Sequence, residues 1–98
     1  LANKLPFKQL IYMFYVYAIW NKIRNKIYIG QSSNLKERLK RHNGLLKNKL
    51  KSYTNKNSGE WLLIHQEEFE IRKAAIIREK ELKSYQGRKF IRSLINKK

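Results

Sequence analysis

Between residues 14 and 20 the chain reads FYVYAIW, an uncharged run of aromatic and β-branched side chains. Such a run predicts a strand. A polar stretch at 21–25 follows, then a second short apolar run at 26–30, KIYIG, so the two strands make a hairpin. Alternation along the first strand assigns Tyr15, Tyr17 and Ile19 to one face. A four-residue loop at 21–24 would set Tyr17 directly opposite Tyr28, whereas an odd loop without a bulge would send the two phenols to opposite faces.

The period then changes from strand to helix. Asn34 fits a helix N-cap, Glu37 completes a capping box three residues later, and Leu35 and Leu39 mark the buried side. His42-Asn43-Gly44 closes that helix, with Asn43 or Gly44 able to take the left-handed conformation. Residues 45–59 are basic and polar and predict a mobile loop. The run WLLI opens a third strand over 61–69. From 70 to 85 the residues Ile71, Ala74, Ala75, Leu82 and Tyr85 recur on one helical stripe. Gly87 is expected to break that helix, and 88–95 predicts a last short helix with Phe90, Ile91, Leu94 and Ile95 inward. The order β-β-α-β-α-α predicts an α+β fold, a small three-stranded antiparallel sheet flanked by helices.

Length sets the scale. A chain of 98 residues suits one domain, expected over 12–98, with 1–11 as an N-terminal leader or extension. The longest uncharged run, 9–20, is shorter than the roughly 20 residues that a membrane span needs. It also lacks a small-residue cleavage site, so it reads as a buried strand and no membrane partner is expected. With no cysteine there is no disulfide framework and no thiolate metal site. A reducing compartment, the cytoplasm, is the expected location.

Charge changes the picture more. Lys and Arg number 23 against 7 Asp and Glu, a net charge of +16, so the expected partner is a polyanion, nucleic acid first. The basic loop with Lys47, Lys49, Lys51 and Lys56, and the C-terminal Arg88, Lys89 and Arg92, are the expected backbone contacts.

Candidate chemistry is sparse. A Tyr17–Tyr28 pair on a sheet can be plain cross-strand packing. Arg38 and His42, four apart, share a helix face, and together form either a solvated face or a clamp for an anion. Glu79 sits at the border of the apolar stripe. It can pair with Lys83 at i,i+4 or act as a ligand for a hard metal. The chain contains no Asp, which excludes a multi-aspartate two-metal site. The acids Glu67, Glu68 and Glu70 are expected to face water, and His65 to be structural. No nucleophile elbow, P-loop or GxGxxG is present.

Taken in order, these pieces resemble the GIY-YIG nuclease superfamily, in particular its small stand-alone bacterial members. Tyr15-Val16-Tyr17 stands where the family often has Gly-Ile-Tyr, Tyr28-Ile29-Gly30 is intact, Arg38 lies in NLKERLKRHN and Glu79 in AAIIREKELK. Further likeness lies in the FYVYAI start, the YT followed by a Trp, the EEF strand end and the REKxLK helix. The resemblance implies an endonuclease that hydrolyses DNA phosphodiesters with Mg²⁺ or Mn²⁺ and no small-molecule cofactor, with repair or recombination as its setting. By position, Tyr17 would activate or orient water and Tyr28 would support it. Arg38 would stabilise transition-state charge, Glu79 would hold the metal and His42 would assist proton transfer. Such a phenol is expected to have its pKa lowered by the metal and Arg38. Gln31 replaces a lysine of some relatives, and Asn96 is the nearby candidate for a late asparagine. The alternative is a non-catalytic nucleic-acid-binding module of the same fold.

Overall fold

The computed structural model describes residues 13–44 and 53–96. Three strands, β1 (Phe14–Asn21), β2 (Lys26–Ser32) and β3 (Trp61–Phe69), form one antiparallel sheet in the order β2-β1-β3. Among the described residues four helices accompany it: α1 (Leu35–His42), the single turn α2 (Tyr53–Lys56), α3 (Arg72–Lys83) and α4 (Tyr85–Ile95). The predicted α+β architecture is therefore present. Part of the predicted loop at 45–59 is helical as α2, and 45–52 lie outside the described residues, as do Lys47, Lys49, Lys51 and the leader 1–11.

β1 is central because both its faces are apolar. Val16 and Ala18 face Ile27, Ile29, Ala75, Leu82 and Ile91, so α3 and α4 cover this side of the sheet. Tyr17 and Ile19 point the other way and pack with Leu35 and Trp61, with Tyr15, Tyr28 and Leu39 around them. Leu35 and Leu39 thus anchor α1 on the second face, as their spacing predicts.

The hairpin has a four-residue connection, but it occupies 22–25, one residue later than predicted. Tyr17 consequently lies opposite Gly30, and Tyr28 opposite Ile19. The shift moves the register by two residues, so both phenols stay on one face. Asn25 supplies the left-handed residue of the turn at φ 51°, a conformation asparagine tolerates. Arg92 of α4 grips that turn, donating from Nη1 to Asn25 Oδ1 at 2.9 Å and from Nη2 to Asn25 O at 3.1 Å. Arg92, expected at the nucleic-acid surface, is thus committed to a tertiary contact.

β3 carries a bulge. Ala18 pairs with His65 while Ile19 pairs with Leu63, leaving Ile64 as the extra residue. One added residue reverses which face the side chains take. His65 and Glu67 therefore sit opposite Ala18 and Val16, whereas Trp61 joins Tyr17 and Ile19 on the other face.

The helical boundary near Gly87 differs from expectation. Ser84 ends α3 and caps α4, its Oγ accepting from Gly87 N at 3.2 Å and donating to Glu81 O at 2.6 Å. Gly87 lies inside the first turn of α4 and breaks nothing. A Cβ there would meet Glu81 O at 2.3 Å and Leu82 Cα at 2.4 Å, so the glycine exists to let two helices meet at a corner. Ile71 and Tyr85, expected on the buried stripe of one helix, are 66% and 76% exposed because both lie outside α3, Ile71 as its N-cap and Tyr85 as the first residue of α4. Phe90 is also exposed, leaving Ile91 as the buried residue of α4.

Candidate active site

The site is built on the second face of the sheet. Tyr17 is fully buried at the centre of β1. Its register partner is a glycine for a spatial reason. A Cβ on Gly30 would lie 2.9 Å from Tyr28 Cε2 and 3.0 Å from Tyr17 Oη. The glycine of the Tyr-Ile-Gly stretch thus leaves the space in which both phenols sit. Their ring centroids are 6.3 Å apart.

α1 brings the next two groups. Its start is fixed by Asn34, whose side chain accepts from Glu37 N at 3.1 Å. The return half of the predicted capping box is replaced, since Asn34 N donates to Ser32 Oγ and Glu37 pairs with Arg41. Its end is fixed by Asn43, which accepts from Trp61 N at 2.7 Å and donates to Trp61 O at 3.1 Å, and by Gly44 at φ +77°. Held at both ends, α1 directs His42 and Arg38 toward the phenols. His42 Nε2 is 2.7 Å from Tyr17 Oη, and His42 Nδ1 is 2.9 Å from Thr54 Oγ1. The imidazole also lies 4.8 Å, centroid to centroid, from the Tyr28 ring. Arg38 makes a long 3.5 Å contact from Nη2 to Tyr28 Oη. Its Nε is buried with no hydrogen-bond partner among the described residues.

Glu79 arrives from α3, one turn after the buried Ala75 and just before the buried Leu82. Its side chain is 18% exposed, and its Oε2 receives Lys83 Nζ at 2.6 Å. Both sequence options for this residue thus begin from the same i,i+4 pair. The negative charge is close enough to Tyr17 to oppose ionisation of the phenol.

The electrostatics correct one expectation. Burial pushes the Tyr17 pKa up to about 12, against the lowering effect of Arg38. In the protein alone, desolvation outweighs the guanidinium, and Tyr17 is a neutral phenol at pH 7. Burial, aided by Arg38, pulls His42 down to about 4, so its imidazole is neutral. Burial works against the Arg38 charge as well, but the phenols of Tyr17 and Tyr28 carry its pKa above the usual value.

The structure therefore gathers Tyr17, Tyr28, Arg38 and His42 in direct contact and sets Glu79 within electrostatic reach. Asn96 is instead the exposed C-cap of α4. Among the expected nucleic-acid contacts, Lys56, Arg88 and Lys89 are exposed. Glu67 faces the helices rather than water, since its carboxylate takes Arg78 Nε at 2.9 Å and His65 Nε2 at 2.7 Å. Burial raises its pKa and these two partners lower it, with a net lowering. This is a structural network that joins β3 to α3.

Thr54 is the site residue that spacing missed. It is 2% exposed and holds the far nitrogen of His42. Its sequence signal lay only in the Tyr-Thr pair upstream of Trp61, because no periodicity marks a four-residue helix.

A hard divalent cation can be tested against these residues. No group of three or more His, Cys, Asp or Glu side chains that could together hold a metal ion occurs among the described residues. That donor set does not suit a soft, fully protein-ligated metal. It does suit Mg²⁺ or Mn²⁺, which accept one carboxylate and complete their shells with water and phosphate. Glu79 already receives a cationic group, so its chemistry fits that role.

No helix among the described residues is long and apolar enough to cross a membrane. Comparison with curated proteins and with solved structures returned no match. Residues 13–91 match the family model of the GIY-YIG catalytic domain, a span that includes both tyrosines, Arg38, His42 and Glu79. A nuclease-type sheet, the intact Tyr-Ile-Gly strand and a match over most of the chain agree, and the chain belongs to the GIY-YIG family.

Proposed function

We propose that this protein is a metal-dependent endonuclease that hydrolyses phosphodiester bonds in DNA. The observation that carries the reading is the buried Nε of Arg38, which has no partner among the described residues and lies among two phenols and a neutral imidazole. A buried donor without an acceptor is costly, by about 1–3 kcal/mol, unless a ligand completes it. A phosphate oxygen is such a ligand, and guanidinium recognises phosphate through paired hydrogen bonds.

Each side chain has a role that follows from its position. Arg38 donates toward the phenols, so the Tyr17 proton is directed to His42 Nε2. Thr54 then accepts from His42 Nδ1, which fixes the tautomer with a free lone pair on Nε2. As water attacks phosphorus, Tyr17 Oη accepts a water proton while passing its own to Nε2, the phosphorus–oxygen ester bond on the far side breaks, and the departing oxygen takes a proton from solvent. No free phenolate is needed, which agrees with a phenol whose pKa is near 12. Tyr28 lines the same space and orients Arg38. Charge that builds on the phosphoryl oxygens is met by the guanidinium. Glu79 would hold Mg²⁺ or Mn²⁺, and such an ion supplies Lewis-acid stabilisation to the same oxygens.

The second reading, binding without cleavage, draws on the 2.6 Å Lys83–Glu79 pair, which already neutralises the carboxylate. One experiment separates the two. Supercoiled plasmid is incubated with purified protein and Mg²⁺ or Mn²⁺, beside Glu79→Gln and Arg38→Ala variants. Nicking that vanishes in Glu79→Gln and drops by about 10²- to 10³-fold in Arg38→Ala supports catalysis. Equal cutting by wild type and Glu79→Gln defeats it, and metal-independent binding without product supports the module.

A further inference from the structure

Beside the Tyr17–His42 cluster lies a second groove of about 270 Å³, lined by Ile27, Tyr28, Ile29, Tyr53, Lys83 and Arg88. Tyr53 belongs to α2 and plays no part in the proton path described above. Its ring stacks on Tyr28, with centroids 6.0 Å apart and planes 29° apart, and Trp61 meets it edge-on at 6.0 Å. Two aromatic neighbours thus hold the ring in place, yet Tyr53 remains 41% exposed. A tyrosine kept only for packing would turn its apolar face inward.

Two cations border the same space. Lys83 reaches it from the last turn of α3 and also touches Glu79, so Lys83 and Tyr28 border both the groove and the candidate active site. Arg88 comes from the first turn of α4. Its Nε donates to Lys83 O at 3.1 Å, which fixes the guanidinium, while its terminal nitrogens have no acceptor among the described residues. The corner at Ser84 and Gly87 is what brings Arg88 to Lys83 across two helices.

A fixed aromatic ring with an open flank, next to two cations, is the chemistry that binds unpaired nucleotides. Bases stack on the ring and phosphates meet the cations. A continuous duplex offers phosphates but keeps its base faces covered. We propose that this groove is a subsite for an unstacked nucleotide next to the cleaved phosphate, and that the substrate is DNA with unpaired nucleotides, such as a flap or single-stranded junction. The position relative to cleavage rests on the endonuclease reading, but the binding itself does not.

The test therefore measures binding in EDTA, with the full chain, so that it succeeds or fails apart from catalysis. Two labelled duplexes of equal phosphate number are compared at one salt concentration, one blunt and one with a short flap carrying 2-aminopurine at its first unpaired position. Wild type is expected to favour the flap and to change the 2-aminopurine fluorescence. Tyr53→Leu should weaken flap binding roughly tenfold and leave blunt-duplex binding unchanged, while Tyr53→Trp retains the preference. Arg88→Gln should reduce the salt slope for the flap by about one. Equal wild-type affinity for flap and blunt DNA overturns the proposal, even if Tyr53→Leu fails to fold. So does parallel loss on both substrates in a folded Tyr53→Leu protein.

Discussion

Tyr17 has no solvent exposure, yet its hydroxyl is 2.7 Å from an imidazole and its charge state is opposed by burial. At this scale the chemistry depends on His42 staying neutral. Its pKa of about 4 in the folded protein, against an ordinary value of 6.5, means that the unfolded chain takes up this proton first as pH falls. Stability from this residue is complete above about pH 6.5 and is lost toward pH 4, with about 2 kcal/mol lost between pH 7 and 5. Urea unfolding at the two pH values checks this, and His42→Gln should remove one proton's worth of the pH dependence. Catalysis should follow the same sign: single-turnover cleavage should persist to near pH 5 and not fall through 6.5. The identities of these residues could be read from the sequence, by resemblance. Their ionisation could not, because it depends on desolvation, and the expected low-pKa phenol is replaced by one near 12.

At the scale of elements, two glycines do different work. Gly30 lies in β2 opposite Tyr17, and its missing side chain is the room used by two phenols. Gly30→Ala is expected to displace Tyr28 and Tyr17, lowering cleavage by about 10²-fold while the protein stays folded at 25 °C. Plasmid nicking alongside a thermal melt separates the two effects. Gly87 instead faces backbone. Gly87→Ala must part α3 from α4 and should destabilise by about 2–3 kcal/mol, seen as a lower melting temperature. The strands and helices were legible from period and capping: β3 has the bounds its apolar run predicts, and Asn34 caps α1. The Ser84 corner was not legible, because Gly87 reads as a stop when only local propensity is considered. Its reason is a contact with residues five and six positions earlier on a different helix.

The whole molecule carries +16 charges, and the ion pairs among the described residues lie mostly within single helices or strands, with Glu67–Arg78 joining β3 to α3. The surplus should make binding to duplex DNA fall steeply with salt, by 10²-fold or more between 50 and 200 mM, as counterion release requires. A titration series by fluorescence anisotropy measures the slope; a flat response would show that the charge does not face the duplex. The sequence by itself determined the β-β-α-β-α-α order apart from the single turn α2, the two-faced central strand and the basic character, and it marked Tyr17, Tyr28, Arg38, His42 and Glu79 as candidates. These follow from local periodicity, composition and motif order, which need no long-range information. Tertiary structure alone decided the hairpin register, the bulge at Ile64 that turns Trp61 toward Tyr53, the Thr54–His42–Tyr17 chain and the buried open donor on Arg38. Each of these arises where segments distant in sequence exclude water together, and the energy of a polar group there is set by neighbours that no local pattern contains.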